Sequence, residues 1–65
     1  MLNTVILYDA DGFELATNEE VTIAQGKKIA AQMLADTAEY PDAYKAEIRD
    51  KNKICVWDAF RRNAP

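Results

Sequence analysis

Sixty-five residues make one domain, close to the smallest size that folds without a metal or a disulfide. Hydrophobic residues make up 49% of the chain, ordinary for a globular protein and too many for intrinsic disorder. The formal net charge is −3, and the chain contains neither histidine nor serine, so imidazole acid–base chemistry and a serine nucleophile are both excluded.

A nucleophile would have to be Cys55, a threonine or a lysine, assisted only by carboxylates or amines. A metal site would need oxygen ligands around at most one sulfur. The expectation is a protein that is not an enzyme and carries no cofactor or metal. The single cysteine, Cys55, allows no internal disulfide and fits a reducing compartment. The first residues have an apolar run but no basic segment before it, and Asp9 and Asp11 interrupt it. They read as a strand and neither as a signal peptide nor as a membrane span, so a cytoplasmic location is expected.

Charge is placed unevenly. Asp9, Asp11, Glu14, Glu19 and Glu20 lie in the first 26 residues without a single Lys or Arg, whereas every base lies from Lys27 onward. An acidic first segment disfavours phosphate and favours a basic partner.

Residues 4–9 are rich in β-branched and aromatic side chains and predict the first strand. Asp9-Ala10-Asp11-Gly12 reads as a turn, with Gly12 at positive φ. Its spacing with Glu14 lacks the further ligands a calcium loop requires. Residues 13–21 predict a second strand with an irregularity near Asn18-Glu19. The chain then builds its one amphipathic helix, predicted over 23–40. Thr22 is the N-cap, and Gln25 stands where a capping box is completed. Ile23, Gly26, Ala30, Leu34 and Thr37 share one stripe, widened by Ile29, Met33 and Ala38, and Pro41 is the expected stop. Gly26 costs helix propensity, so its place on the apolar stripe points to a close approach to the sheet. Residues 43–49 alternate Tyr44, Ala46 and Ile48 against Lys45, Glu47 and Arg49, as a half-buried strand does. Asp50-Lys51-Asn52-Lys53 is a second turn, with Asn52 the expected positive-φ residue. Residues 54–60 form the last strand, and 61–65 read as a frayed tail.

The order β-β-α-β-β with a right-handed crossover predicts an α+β domain spanning 1–65: one helix on one face of a four-stranded antiparallel sheet, in strand order 2-1-3-4. One sheet face is then left open. Thr4, Ile6 and Tyr8 point to one side of the first strand, Val5 and Leu7 to the other. The register of the closing hairpin stays open. A two-residue loop would set Ile48 opposite Cys55 and turn Cys55 and Trp57 to the helix. A bulge at Lys53 would pair Ile48 with Val56 and leave Trp57 on the open face. The expected open-face patch comprises Val5 and Leu7 with Cys55 and Trp57, flanked by Lys45, Glu47 and Arg49. Such a patch marks a contact surface, for a partner or for a homodimer packed sheet against sheet. Lys45, Arg49, Lys51, Lys53, Arg61 and Arg62 with Tyr44, Trp57 and Phe60 offer a weak nucleic-acid reading. The negative net charge, the interleaved Glu47, Asp50 and Asp58, and the absence of an RNP-like motif oppose it.

The run Ala46-Glu47-Ile48-Arg49-Asp50-Lys51-Asn52-Lys53-Ile54-Cys55-Val56-Trp57-Asp58 resembles the closing hairpin of small uncharacterised proteins from phages, prophages and bacterial accessory genes. Their pattern is roughly E-[IV]-R-D-x-[DN]-G-K-x-V-W. The match covers the last third of the chain and lacks the turn glycine, and the Asp-x-Asp-Gly hairpin before the helix is similar too. The resemblance implies a setting and no activity: very small acidic phage proteins often act by occluding a host protein, anti-CRISPR inhibitors being the best-known group. It implies a host partner with a basic surface, met by Asp9, Asp11, Glu14, Glu19 and Glu20, and a location in the host cytoplasm.

Overall fold

A computed structural model describes residues 2–61. The elements are β1 (Asn3–Asp9), β2 (Glu14–Val21), α1 (Ile23–Ala35), β3 (Ala43–Arg49) and β4 (Cys55–Phe60). All pairings are antiparallel, and the sheet runs β2-β1-β3-β4, the expected α+β arrangement. Because α1 connects the edge strand β2 to the inner strand β3, it passes over β1, and it packs mainly on β1 and β3. No helix among the described residues is long and apolar enough to cross a membrane.

The helix starts as its sequence dictates. The Gln25 N–H donates to Thr22 Oγ1 (3.2 Å) and the Thr22 N–H to Gln25 Oε1 (3.0 Å), closing the capping box. Gly26, Ala30 and Leu34 are buried, with Ile29 and Met33 half-buried beside them. A Cβ at Gly26 would stand 2.9 Å from Ile48 Cδ1 and 3.2 Å from Val5 Cγ2, so the missing side chain sets how closely helix and sheet meet.

The helix ends five residues earlier than the proline predicts. Asp36 leaves the helical conformation (φ −84°, ψ 82°), its carboxylate accepts the Glu39 N–H at 3.0 Å, and its carbonyl accepts the Tyr40 N–H at 2.9 Å. A short acidic side chain that bonds the backbone locally competes with helix continuation, and it acts before Pro41 can. Thr37 and Ala38, expected on the apolar stripe, are exposed outside the helix. A second correction concerns Arg61, expected in a frayed tail. Its guanidinium donates to the carbonyls of Leu34 (2.6 Å), Tyr40 (2.8 Å) and Pro41 (3.0 Å). It thereby supplies the C-terminal positive charge that the last helical turn itself lacks. Residues 62–65, the rest of the expected tail, lie outside the described residues.

The two hairpin turns are built alike. Asp9 Oδ1 accepts the N–H groups of Asp11 and Phe13, and Asp50 Oδ1 those of Asn52 and Ile54. Each turn closes with a backbone bond to the Asp carbonyl, from Gly12 (3.1 Å) and from Lys53 (2.9 Å). Both closing residues have positive φ, 88° and 65°. The second strained position is thus Lys53 and not Asn52. The expected irregularity in β2 is present: pairing shifts between Asn3↔Val21 and Val5↔Asn18, with Glu20 at φ 62°.

The open-face assignment of three residues is overturned. Val5 and Leu7 are 0% exposed and face the helix, and Trp57 is half-buried on the same side. The reason is pairing. Val5 stands opposite Ile48 and Leu7 opposite Ala46, and directly opposed residues share a face. Lys45, Glu47 and Arg49 require the wetter side, so Ala46, Ile48 and their β1 partners turn inward. Ile48 pairs with Trp57 and Arg49 with Cys55, neither of the two registers considered. The skipped residue is Val56, and this bulge brings Trp57 to the helix side and Cys55 to the other.

Two stability experiments follow. Lys53→Gly relieves a left-handed lysine while keeping the backbone bonds of the turn, and is expected to stabilise by roughly 0.5–1 kcal/mol, a rise of a few degrees in a thermal melt. Gly26→Leu must displace Ile48 and Val5, and overpacking of about 1–3 kcal/mol outweighs the gain of about 1 kcal/mol in helix propensity. Its melting temperature should fall, and a rise would remove the close-approach explanation.

Candidate functional site

The sheet face away from α1 carries Thr4, Ile6 and Tyr8 from β1 and Lys45, Glu47 and Arg49 from β3. It is a charged ladder, not the apolar patch expected. Glu47 lies at its centre with 9% of its side chain exposed, against 29% for Lys45 and 34% for Arg49. Lys45 Nζ reaches Glu47 Oε2 at 3.0 Å, while Arg49 donates to Oε1 through Nη2 (2.8 Å) and Nε (3.0 Å). Arg49 also donates through Nη1 to the Lys53 carbonyl at 2.6 Å, tying the ladder to the second turn. Alternation in a strand produces this arrangement directly, because residues two apart share a face.

Burial pushes the Glu47 carboxyl up, and the hydrogen bonds and charges of Lys45 and Arg49 outweigh it, holding it below the usual glutamate range. The Glu47 hydrogen bond and charge raise Lys45 in turn. Lys45 Nζ lies 5.4 Å from the Tyr8 ring centre and 6.0 Å from that of Phe60, and Tyr44 meets Phe60 edge-on at 5.3 Å. These aromatic contacts escaped the sequence reading because Tyr44 alternates with Lys45. Pairing shifts at Tyr44, between Tyr8↔Lys45 and Asp9↔Ala43, and this bulge lets both adjoin Phe60. Tyr8, Asp9, Tyr44, Lys45, Arg49 and Phe60 border a shallow depression of about 270 Å³.

Glu47, Cys55 and Asp58 place one ligand-type atom each within 4.8 Å of one another. Both Glu47 oxygens already accept from cations, and Cys55 Sγ lies 3.4 Å from the Trp57 carbonyl as a donor. A metal ion would have to compete with an ammonium and a guanidinium for the same carboxylate, so the cluster reads as part of the ion-pair ladder.

The five acids of the first hairpin do not act alike. Asp9 spends its carboxylate inside the turn. Asp11 is exposed at the tip, and Glu14 stands opposite Tyr8 on the open face. Glu19 borders a second depression of about 450 Å³ with Glu14, Arg49 and Lys53, and Glu20 borders a groove between β2 and α1. Three exposed acids therefore run along the β2 edge, with Asp11 at the turn that precedes it. The basic cluster of the last third is largely engaged: Lys45 and Arg49 on Glu47, and Arg61 on three carbonyls. Arg62, placed in that cluster by sequence, lies outside the described residues. The outer strand β4 differs from β2. Asp58 is its one charge, and Val56 and Phe60 are 44% and 54% exposed, with Ile54 before them at 59%.

Replacing Glu47 by Gln should lower the melting temperature by several degrees at neutral pH. A carboxyl whose folded value is depressed contributes stability above its unfolded value and loses it as pH falls through the folded one. The difference between wild type and Glu47→Gln should accordingly shrink below about pH 4, measured by parallel melts at neutral pH and about pH 3. Comparison with protein-family models, curated proteins and solved structures finds no match to this chain.

Proposed function

We propose that the protein is a non-catalytic binding module that occludes a host protein with a basic surface, in the manner of a phage-type inhibitor. The observation that carries this reading is the β2 edge. Asp11, Glu14, Glu19 and Glu20 are exposed along one hairpin whose own stretch of sequence contains no base. Opposite charge steers association and fixes orientation, and a hairpin anchored on a central strand presents its charges with little entropy to lose. A chain without histidine or serine is better suited to such a role than to acid–base or acyl-transfer chemistry. Anti-defence inhibitors of the anti-CRISPR kind are the class to which this reading points, with the host cytoplasm as its place of action. A nucleic-acid role draws less support, because Lys45, Arg49 and Arg61 are committed to internal contacts.

The test is an affinity pull-down from host lysate, with nuclease, of the wild type and of a triple variant Asp11→Lys, Glu14→Lys and Glu19→Lys. Asp9 is left in place because the turn needs it. The wild type is expected to retain a stoichiometric protein that the variant loses, with both chains melting alike. Retention by the variant would overturn the reading.

A further inference from the structure

The sheet has two unlike edges, and the apolar one has its own consequence. Strands at sheet edges present unpaired N–H and C=O groups, and proteins usually blunt them with charge, bulges or cover. The β2 edge has both acids and a bulge at Glu20. β4 has a single acid, Asp58, and no bulge over its last residues: its bulge lies at Val56, and from Trp57 to Phe60 it pairs regularly with β3. Helix α1 rests mainly on β1 and β3, and on β4 only Trp57 and Ala59 are half-buried against the core.

The ladder with β3 fixes the direction of the free groups. The Arg61 N–H donates to the Tyr44 carbonyl at 2.7 Å, and backbone groups alternate along an antiparallel ladder. Ala59, opposite Ala46, and Trp57, opposite Ile48, therefore turn their backbone groups toward β3. Asp58 and Phe60 turn theirs outward.

We propose that β4 pairs with β4 of a second copy of this chain, antiparallel about a two-fold axis at Ala59, to make one continuous eight-stranded sheet. In that register Asp58 and Phe60 of each copy exchange backbone hydrogen bonds with Phe60 and Asp58 of the other, and the two small Ala59 side chains meet at the axis. Charge selects both the partner and the register. An axis at Asp58 would oppose two carboxylates, and an axis at Trp57 would run the pairing into the Val56 bulge. With the axis at Ala59 each Asp58 faces the other copy's Phe60, beside whose ring Lys45 Nζ lies, so an ammonium approaches each carboxylate across the interface. The acidic β2 edges fall at the two far ends of the joint sheet, which lets chains of net charge −3 associate. Only one edge of each chain is fit to pair, so the assembly closes as a dimer and does not grow into a fibre. The contact is short and belongs to the weak class, below about 1,200 Å² of total buried surface.

Sedimentation equilibrium from micromolar to millimolar protein, with amide exchange followed by NMR, tests this. The average mass should rise from 7.3 kDa toward twice that value. Over the same range the Asp58 and Phe60 amides should gain protection, while the Ala59 amide is protected throughout. Phe60→Glu sets a second carboxylate opposite the other copy's Asp58 and should raise the dissociation constant at least about tenfold, and Asp58→Lys, which brings a second ammonium toward Lys45 of the other copy, serves the same purpose should Phe60→Glu fail to fold. A mass fixed at the monomer value throughout would overturn the proposal. A dimer in which the Asp58 and Phe60 amides stay unprotected, or which survives the folded variant unchanged, would overturn it equally.

Discussion

The pairing of β1 with β3 is the constraint on which the rest of this small domain depends. Lys45, Glu47 and Arg49 cannot all enter a core, so β3 has one permissible orientation. Through the partners Val5↔Ile48 and Leu7↔Ala46 that orientation is imposed on β1, whose own side chains are apolar on both faces. The helix then meets a surface of Val5, Leu7, Ala46 and Ile48, all fully buried, and Gly26 lets it come down onto Val5 and Ile48. A ladder of charges on one face and a packed core on the other are two consequences of a single register.

Around that centre the chain uses short polar devices in place of a large core. Both hairpins are closed by an aspartate that accepts two backbone N–H groups, with a left-handed residue completing each turn. At the first turn the left-handed residue is glycine, which adopts that conformation at no steric cost. At the second it is lysine, held while Arg49 bonds its carbonyl. The helix C-terminus is closed from a distance by Arg61, which draws together the end of α1, the loop at Tyr40 and Pro41, and the strand start at Tyr44. Among the described residues no buried side-chain nitrogen or oxygen lacks a partner. A domain of this size has little burial with which to offset an unpaired polar group.

The functional reading grows from the outside of the same sheet. Its inner strands are satisfied on both sides, and its two edges differ in chemistry, one acidic and bulged near its end, the other mostly apolar and regular beyond its bulge at Val56. An acidic edge suits a basic protein surface and an apolar edge suits backbone pairing, which is why both proposals are of contact surfaces. On the open face between them, each oxygen of Glu47 is already bound by a cation.

The sequence by itself determined the element order, the strand order, the capping box, both turn sites, the β2 irregularity and the buried helix stripe. Each rests on local chemistry or on a period that neighbouring residues display. It did not determine where the helix stops, because the competing signals at Asp36 and Pro41 are both local and the distant Arg61 joins at the earlier one. It placed the acids on one hairpin but could not tell that Asp9 belongs to the turn. Only the tertiary structure decided which faces of β1 and β4 are inward. Apolar residues occupy both sides of each strand, and a shift of one residue exchanges the faces. The decision came from charges on β3, which orient β1 through its partners, and from a bulge at Val56, which exists only in the pairing of β4 with β3.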